Sequence, residues 1–487
     1  MSRFSVILVI SITFLVTSAS RIPISGQLKD FEVFKKVLIE KEGRLDLHTS
    51  LDSITFYLNR LEKQLAYDCT PLEEFKHFSA ALAKIQCGHT QIHPTKAVLK
   101  EWLSARKSLP FDYIVQGKKL YTNKLLAQDT PLIYLGKSKF EQKKKLKAFT
   151  EIISIDHKSM PQMMSEIAPF LSSDENGIDF KYFQVAQLFE FYRHMSSPFK
   201  EDSILVEYVS GPDTLEKYFQ TGNAPVNSMN LRLKQMSDQY TMYEKNMGAF
   251  KIVRSKIGYF RFHSFKSSYG KDYELFLEKS FKRIKSKSIK KLIIDVRGNT
   301  GGAMQYSIMR YFVGDDVVLG RYVVEKPKRL FEDSHIKKLN SDFFEHRRMS
   351  RIQKRKNRQQ LFKNGEIKTS HVSEDLIYDG EIIVITDEGS FSSASILASH
   401  LKTLANAKIV GRRAGGSFYR GNAGTLSVQL PSSKLKMFVN PNTFYSHLWM
   451  PSNTLIIKGP DLELSPGFIK SSKMDDYYLK GALEAFE

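Results

Sequence analysis

Apolar residues recur every three or four positions in three stretches near the start of the chain, and this spacing predicts three amphipathic helices. The stretches cover residues 31–45, 53–65 and 72–85. Thr70 and Pro71 precede the third and indicate a helix start, because threonine caps free N–H groups and proline fits the first turn. We therefore expect a helical N-terminal region over residues 21–108, in which the third helix leads into the loop "QCGHTQIHP".

Residues 109–250 have a different pattern, in which short runs alternate between apolar and polar positions. The runs "PLIYLG", "FTEIISIDHK" and "DSILVEYVSG" are typical of strands, and "MPQMMSEIAPFL" is typical of a helix. The pattern predicts a small mixed module of strands and two helices. Its residues contain no cluster of catalytic side-chain types.

From residue 251 to residue 487 the chain alternates strand runs with helical runs. Such alternation predicts an α/β fold, in which a largely parallel sheet is covered by helices. In sheets of this kind the ligand site lies at the carboxyl ends of the strands. The runs predicted as strands are "IGYFRFHSF", "KKLIIDVRGN", "GEIIVITDEG", "AKIVGRRAGG" and "GTLSVQLP".

The first twenty residues have the three-part pattern of a secretory signal peptide. One arginine is followed by an apolar run from Phe4 to Val16 and then by small residues up to Ser20. An uncleaved membrane anchor is the alternative, although the run is short for a bilayer span. We therefore expect an exported protein, periplasmic or secreted, with no stable membrane anchor after signal cleavage.

Composition and charge narrow the class of partner. Hydrophobic residues make up 42% of the chain, which argues against global disorder. The net charge of +21 raises the possibility of an anionic partner, but the densest basic run, residues 345–360, has no nucleic-acid-binding signature around it. A solvated helical face explains this run better than binding to an anionic polymer does, and we expect no nucleic-acid partner.

The two cysteines, Cys69 and Cys87, could pair or remain as buried thiols.

Three stretches carry residue types suited to chemistry. In "IIDVRGNTGG", Gly301 and Gly302 follow a strand end, where their N–H groups could hold an oxyanion or could simply form a tight turn. In "SFSSASILASHL", a serine at the start of a helix could be a nucleophile or only a helix cap. A serine nucleophile needs a base, and His89 in "CGHT" is one candidate. His93, His263 and His447 are also available.

Together, "LIIDVRGNTGG", "GSFSSASILASHLKTLANAKIVG" and "QCGHT" resemble motifs of the C-terminal-processing and tricorn-like serine peptidases. The resemblance extends over essentially the whole mature chain. It implies a crotonase-like (ClpP/crotonase) catalytic core at residues 251–487. It also implies a PDZ-like module at residues 109–250, where "EIISIDHKSM" is similar to a PDZ strand, and it implies polypeptide substrates and no cofactor or metal.

The resemblance also implies which residues react. In the family pattern a glycine follows the nucleophile by nineteen residues, and Gly411 has this spacing from Ser392. Ser392 is therefore the expected nucleophile, and Ser393 is the second choice. The tricorn-like branch uses the histidine of G-H-T as base, which here is His89. The processing branch would place a lysine at Ser417, so a serine–lysine pair is not expected, although Lys402 remains open.

The mechanism implied is acyl transfer from the peptide carbonyl to Ser392. Backbone N–H groups of Gly301, Gly302 and Ser393 would hold the oxyanion. Asp461 or Glu463 would orient His89.

Two charged residues beside the glycine turn are expected to be structural. We expect Asp295 and Arg297 to brace the glycine turn instead of reacting. The family often has glutamate at the positions of Ser395 and Arg412. These departures favour an alternative function, that of a catalytically inactive peptide- or ligand-binding protein on the same fold.

Overall fold

The computed structural model describes the chain in twelve stretches. Inside them, no helix is both long enough and apolar enough to cross a membrane. The predicted signal peptide, the run "PLIYLG" and the basic run at residues 345–360 lie outside the described residues. The stretches are residues 22–105, 107–109, 113–116, 118–122, 150–223, 248–254, 256–266, 270–324, 336–339, 365–447, 459–464 and 477–487.

The N-terminal region is helical, as predicted, with one helix more than the pattern indicated. Thr70 Oγ accepts a hydrogen bond from the N–H of Glu73, whose carboxylate accepts one from the N–H of Thr70, so the predicted helix start is a capping box. The elements are helices α1 (Ile24–Lys41), α2 (Leu51–Gln64), α3 (Pro71–Ala83) and α4 (Lys96–Ala105), with strand β1 (Gln91–His93) after α3.

The middle region is a mixed module in which an antiparallel sheet packs on helices. The expected helix after "EIISI" is present, but three helices are found where two were predicted, because the run after Gly177 breaks at Leu188. The sheet order is β3-β4-β5-β7-β8, with β6 beside β5, and β2 pairs with β9. The strands are β2 (Lys107–Ser108), β3 (Tyr113–Gln116), β4 (Lys119–Thr122), β5 (Glu151–Ile155), β6 (Lys158–Ser159), β7 (Ser203–Ser210), β8 (Asp213–Gln220) and β9 (Gly222–Asn223); the helices are α5 (Met160–Ile167), α6 (Ile178–Gln187) and α7 (Phe189–Ser196).

The C-terminal region contains the predicted central sheet. Its order is β10-β11-β12-β16-β17-β22, and all pairs except β10 with β11 are parallel. The strands are β10 (Gly248–Val253), β11 (Ile257–Phe262), β12 (Lys291–Asp295), β16 (Glu381–Thr386), β17 (Lys408–Gly411) and β22 (Leu462–Glu463). The helices are α8 (Gly270–Ser286), α9 (Gln305–Val313), α10 (Ser393–Leu404) and α11 (Tyr477–Glu484).

Alternate residues of the central strands face opposite layers of helices. On β12, Leu292 and Ile294 pack with the apolar faces of α8, α9 and α10, whereas Ile293 packs with α11. All three side chains are buried. Burial on both faces explains why these strands have continuous apolar runs in the sequence.

Two four-stranded antiparallel sheets were not expected. One has the order β15-β13-β21-β18 and the other the order β1-β20-β19-β14. The run "GTLSVQLP" does form a strand, β19, but it lies in the second of these sheets and outside the parallel sheet. The remaining strands are β13 (Val318–Val324), β14 (Ile336–Leu339), β15 (Gly365–Lys368), β18 (Arg420–Ala423), β19 (Leu426–Gln429), β20 (Lys436–Val439) and β21 (Asn442–Ser446).

The N-terminal helices are joined to the C-terminal region by strand pairing. Strand β1 pairs with β20 in antiparallel register, with Ile92 opposite Met437. Because β1 follows α3 after a short loop, this pairing fixes the position of the segment that contains His89. The helical region therefore packs against the C-terminal region as one layer of the same core.

A pair of buried carboxyl groups lies in this layer. Asp30 of α1 accepts hydrogen bonds from the N–H groups of Ser432, at 2.6 Å, and Ser433, at 2.7 Å. Glu74 of α3 is buried beside Asp30. Burial and the charge of Asp30 raise the pKa of Glu74 to about 8. Glu74 is therefore largely protonated at neutral pH.

This pair predicts how stability depends on pH. The folded chain keeps a proton on Glu74 up to about pH 8, whereas the unfolded chain releases it near the ordinary glutamate pKa of about 4.3. The free energy of unfolding should therefore fall as pH rises between these values, with a contribution of up to about 1.4 kcal/mol per pH unit. Glu74→Gln should make denaturant-unfolding midpoints less dependent on pH over this window. Glu62→Gln, at an exposed position of α2, is the control. An equal change in the pH dependence of both variants would contradict the raised pKa of Glu74.

Candidate active site

Ser392 occupies a strained turn between β16 and α10. Its φ of 56° and ψ of −123° lie in a region that residues other than glycine rarely adopt. Its hydroxyl makes no capping hydrogen bond to α10. The N–H of Phe391 donates to the carbonyl of Asn299, at 3.0 Å, and holds the turn against the glycine segment. The hydroxyl is therefore displayed at the helix start instead of being used as a cap.

His89 lies directly against this serine. The distance between His89 Nε2 and Ser392 Oγ is 2.8 Å, although 303 residues separate them in sequence. The imidazole ring packs on Phe391, with 4.7 Å between ring centroids, and Phe391 stacks on Phe180 of α6 at 4.2 Å. His93 and His447 instead contact Gln91 and the carbonyl of Leu319. Of the histidines considered in the sequence, the structure brings His89 to Ser392.

The loop that carries His89 is held by a buried carboxylate. Glu42 accepts hydrogen bonds from Thr90 Oγ at 2.8 Å, from Asn422 Nδ2 at 2.6 Å and from the N–H of Asn440 at 2.9 Å. Three donors satisfy a carboxylate that has no access to solvent. The threonine of "GHT" thus connects the histidine loop to the C-terminal region.

Asp174 is the acidic residue beside His89. One of its oxygens accepts from the N–H of Gly88 at 2.7 Å, and the other accepts from the N–H of Ser417 at 3.2 Å. A carboxylate oxygen of Asp174 and a ring nitrogen of His89 lie within 4.8 Å of each other. Burial lowers the pKa of His89, and the charge of Asp174 opposes that shift.

Asp174 lies in the middle module, residues 109–250, whose sequence contains no cluster of catalytic side-chain types. Asp174 comes from the turn "DENG" of that module, in which Glu175 and Asn176 both have positive φ, of 53° and 56°. An acidic residue in a polar turn is an ordinary surface feature in a sequence. Only the packing of the module against the core brings Asp174 to His89.

The acceptors expected from the sequence lie elsewhere. Asp461 forms an ion pair with Lys402 and accepts from the N–H of Ile409 at 2.8 Å. Glu463 is exposed on β22, where it pairs with Gly411. Neither is a hydrogen-bond partner of His89 in the described structure, so the geometry does not support the expectation that Asp461 or Glu463 orients His89; the carboxylate near the ring is that of Asp174.

Lys402 is not placed to act as the base. Ten residues of α10 separate it from Ser392, which corresponds to about 15 Å along a helix. Its ammonium group pairs with Asp461. The open alternative of a lysine base is therefore not supported by the geometry.

The glycine turn packs tightly on the serine turn. A Cβ on Gly301, whose φ is 102°, would lie 2.7 Å from Ser392 Cβ, so only glycine permits this approach. The Ser393 hydroxyl donates to the carbonyl of Gly302 and joins the two turns. Ser393 Oγ is thus used within the structure, which leaves Ser392 as the displayed hydroxyl.

Two of the three expected oxyanion donors remain available. The N–H of Gly301 already donates to Asn299 Oδ1 at 2.9 Å, so Gly301 does not fit the role expected for it. The N–H groups of Gly302 and Ser393 have no acceptor within the described part of the chain. The Ser393 N–H is also at the positive end of α10, where a developing negative charge is stabilised.

Asp295 and Arg297 brace the turn, as expected. Arg297 Nη2 donates to Asp295 Oδ2 at 2.7 Å, and its N–H donates to Oδ1 at 3.0 Å. Arg261 also pairs with Asp295, and Tyr259 donates a hydrogen bond to it. Burial would disfavour the ionised carboxylate, but the charges of Arg261 and Arg297 outweigh it and hold the pKa of Asp295 below its usual value.

The residues that differ from the family pattern, Ser395, Arg412 and Ser417, make structural contacts here. Ser395 Oγ donates to the carbonyls of Ser392, at 2.7 Å, and Ser417, at 3.0 Å. Ser417 Oγ donates to Glu175 at 3.2 Å, and Arg412 pairs with Glu388. These residues therefore support the serine turn and the Asp174 turn.

Comparisons with known proteins find a matching sequence profile and similar folds. Residues 256–435 match the sequence profile of peptidase family S41. No curated protein sequence matches the chain. A solved complex of mature CPAF with lactacystin is similar in fold, with 13% identity over 95% of this chain and 97% of that chain and a TM-score of 0.58. A serine-to-alanine mutant of CPAF has 13% identity over 95% of this chain and 96% of that chain, with a TM-score of 0.60.

The chain combines an α/β core with a close contact between Ser392 and His89. The profile match adds the class of enzyme. Residues 256–435 match peptidase family S41, and this match supports a serine peptidase of the tail-specific class.

The position of Asp174 yields a prediction about His89. Asp174→Asn removes the charge that favours the imidazolium form, so the pKa of His89 should fall further below its ordinary value. NMR titration of the imidazole measures this shift. Glu175→Gln, a change to the adjacent carboxylate, should leave the His89 titration unchanged. Equal His89 shifts in the two variants, or no shift in Asp174→Asn, would show that Asp174 does not act on His89.

Proposed function

We propose that this protein is an exported serine endopeptidase that cleaves polypeptides, with Ser392 as nucleophile and His89 as general base. The observation that carries the proposal is the 2.8 Å contact between His89 Nε2 and Ser392 Oγ. A nucleophilic serine needs a base within hydrogen-bond reach, and this distance satisfies that requirement.

Catalysis begins with proton transfer. His89 Nε2 takes the proton of Ser392 Oγ as the oxygen attacks the peptide carbonyl. The N–H groups of Gly302 and Ser393 hold the resulting oxyanion. The imidazolium then protonates the leaving amine, and the acyl group stays on Ser392 until water, activated by His89, releases it.

The tautomer of His89 follows from this role. Nε2 can accept a proton only if Nδ1 carries the ring hydrogen of the neutral imidazole. Asp174 is the carboxylate next to the ring, and it stabilises the imidazolium that forms during the reaction. Since burial lowers the pKa of His89, the ring is neutral at pH 7 and ready to act as base.

The domain assignments are part of the proposal. The central parallel sheet covered by helices on both faces supports a crotonase-like catalytic core over residues 251–487. The antiparallel sheet with its capped helix α5 supports a PDZ-like module over residues 109–250. Export rests on the signal-peptide pattern of residues 1–20.

The inactive alternative has no structural support. It was motivated by Ser395, Arg412 and the absence of a lysine at position 417. Each of these positions contributes contacts that hold the two turns, as described above. The contact between His89 and Ser392 and the unused N–H groups of Gly302 and Ser393 support the active function instead.

Substitution of the two reacting residues tests the function. Hydrolysis of a fluorescent unfolded polypeptide should fall by about a thousand-fold or more in Ser392→Ala and in His89→Ala. The loss should be similar in the two variants, because the serine and the histidine act as one catalytic unit. Ser393→Ala keeps the backbone N–H and is the matched control, which we expect to retain most activity. If Ser392→Ala retained hydrolysis and Ser393→Ala lost it, Ser393 would be the nucleophile and Ser392 would not. Retention in both Ser392→Ala and His89→Ala would reject the mechanism.

The pH dependence of hydrolysis tests the base. His89 acts only when neutral, so kcat/KM should fall as pH decreases through its pKa. Burial lowers this pKa below the ordinary 6.5, which places the midpoint of the acid limb below pH 6.5. An acid limb with a midpoint well above 6.5 would contradict the assignment of a buried imidazole as base.

A further inference from the structure

Cys87 has no role in the reaction, yet it lies beside the reacting residues. Its thiol is buried and free, and the mechanism leaves it unused. Its Sγ, a ring nitrogen of His89 and a carboxylate oxygen of Asp174 all lie within 4.8 Å of one another. Three side chains from two regions thus present three possible metal ligands to one point.

The chemical types of these ligands select a class of ion. Zinc binds cysteine sulfur, histidine nitrogen and aspartate oxygen, commonly with four ligands in tetrahedral arrangement. A thiolate ligand favours a thiophilic ion over Mg²⁺ or Ca²⁺, which prefer oxygen ligands. The fourth position would be taken by water.

The charges around the thiol also suit a cation. The carboxylates of Glu42 and Asp174 interact electrostatically with Cys87, and negative charges of this kind stabilise a divalent cation. A metal-bound cysteine is a thiolate, so the ion would displace the thiol proton.

The nitrogen available to a metal is Nδ1. Nε2 of His89 is in contact with Ser392 Oγ. Nδ1 is buried and has no hydrogen-bond partner within the described residues. A ligand that approaches from the side of Cys87 and Asp174 would therefore meet Nδ1.

We propose that Cys87, His89 and Asp174 form an inhibitory site for Zn²⁺, in which the ion binds to His89 Nδ1 and prevents the ring from acting as base. The inhibitory consequence rests on the proposed peptidase function, whereas binding of the ion does not. The reaction itself needs no metal.

Proton balance explains why metal binding and catalysis exclude each other. On binding, the Cys87 thiol releases its proton to water and forms a sulfur–zinc bond. The lone pair of Nδ1 forms the nitrogen–zinc bond, so the neutral ring must carry its hydrogen on Nε2. Nε2 then donates to Ser392 Oγ and has no lone pair to accept the serine proton.

Cobalt binding tests the site without measuring activity. Co²⁺ commonly substitutes for Zn²⁺ in such sites, and a cysteine ligand produces a thiolate-to-cobalt charge-transfer band. Co²⁺ alone, added to the full chain, should give this band with one ion per chain. Since the chain has two cysteines, the matched variants are Cys87→Ser, which should abolish the band, and Cys69→Ser, which should retain it. No band in the wild type, or a band retained by Cys87→Ser, would overturn the proposal.

Zinc inhibition tests the consequence. Zn²⁺ should inhibit hydrolysis by the wild type and by Cys69→Ser, and a chelator should restore it. Half-inhibition of Cys87→Ser should need at least about ten-fold more Zn²⁺, since loss of a direct ligand weakens a site at least as much as loss of a supporting residue. Equal zinc sensitivity in the two variants would contradict the site.

The two experiments separate the possible failures. A cobalt band without any hydrolysis by the chain would support the metal site and reject the proposed function. Hydrolysis without a cobalt band would support the proposed function and reject the metal site. Cys87→Ala, which also removes the ligand, replaces Cys87→Ser if thermal unfolding shows that the serine variant is not folded.

Discussion

The hydrogen bonds of Asp174 connect the three regions of the chain at the candidate active site. Its carboxylate accepts from Gly88 in the histidine loop and from Ser417 in the C-terminal region, while its own turn belongs to the middle module. Gly88 allows this approach, since a Cβ at this position would lie 2.6 Å from the ring of Phe391. The position of His89 relative to Ser392 therefore depends on the packing of all three regions.

The serine turn shows how one local feature serves both the fold and the chemistry. Strand β16, helix α10 and the glycine turn meet at Ser392. The contact of Gly301 with Ser392 holds the strained backbone of the serine. The same helix start that favours serine as a cap provides unpaired N–H groups for an oxyanion. Ser393 joins the two turns through its hydroxyl and leaves its N–H available. Strain at Ser392 is thus maintained by packing around it.

Sequence patterns predicted the elements of the site better than their assembly. The strand ends, the helix start at Ser392 and the loop of His89 follow from local periodicity and motif spacing. The antiparallel sheets and the pairing of β1 with β20 depend on contacts between residues far apart in the chain, which periodicity cannot show. The packing of the middle module, which brings Asp174 close to His89, depends on such contacts as well.

The environment of His89 combines features that act in opposite directions. Burial favours the neutral ring that a base requires, whereas Asp174 favours the charged form that arises during the reaction. The same acidic surroundings suit the cation that is proposed to bind near Cys87. Under the proposed mechanism and the proposed zinc site, the choice of ring tautomer alone would separate an active state from an inactive one.

The central claim is that Ser392 is the nucleophile. Peptide mapping by mass spectrometry after reaction of the wild-type chain with a fluorophosphonate tests it most directly, because the reagent bonds to an activated serine oxygen. We predict a single adduct on Ser392. An adduct on Ser393, or no adduct on a folded chain, would contradict the account.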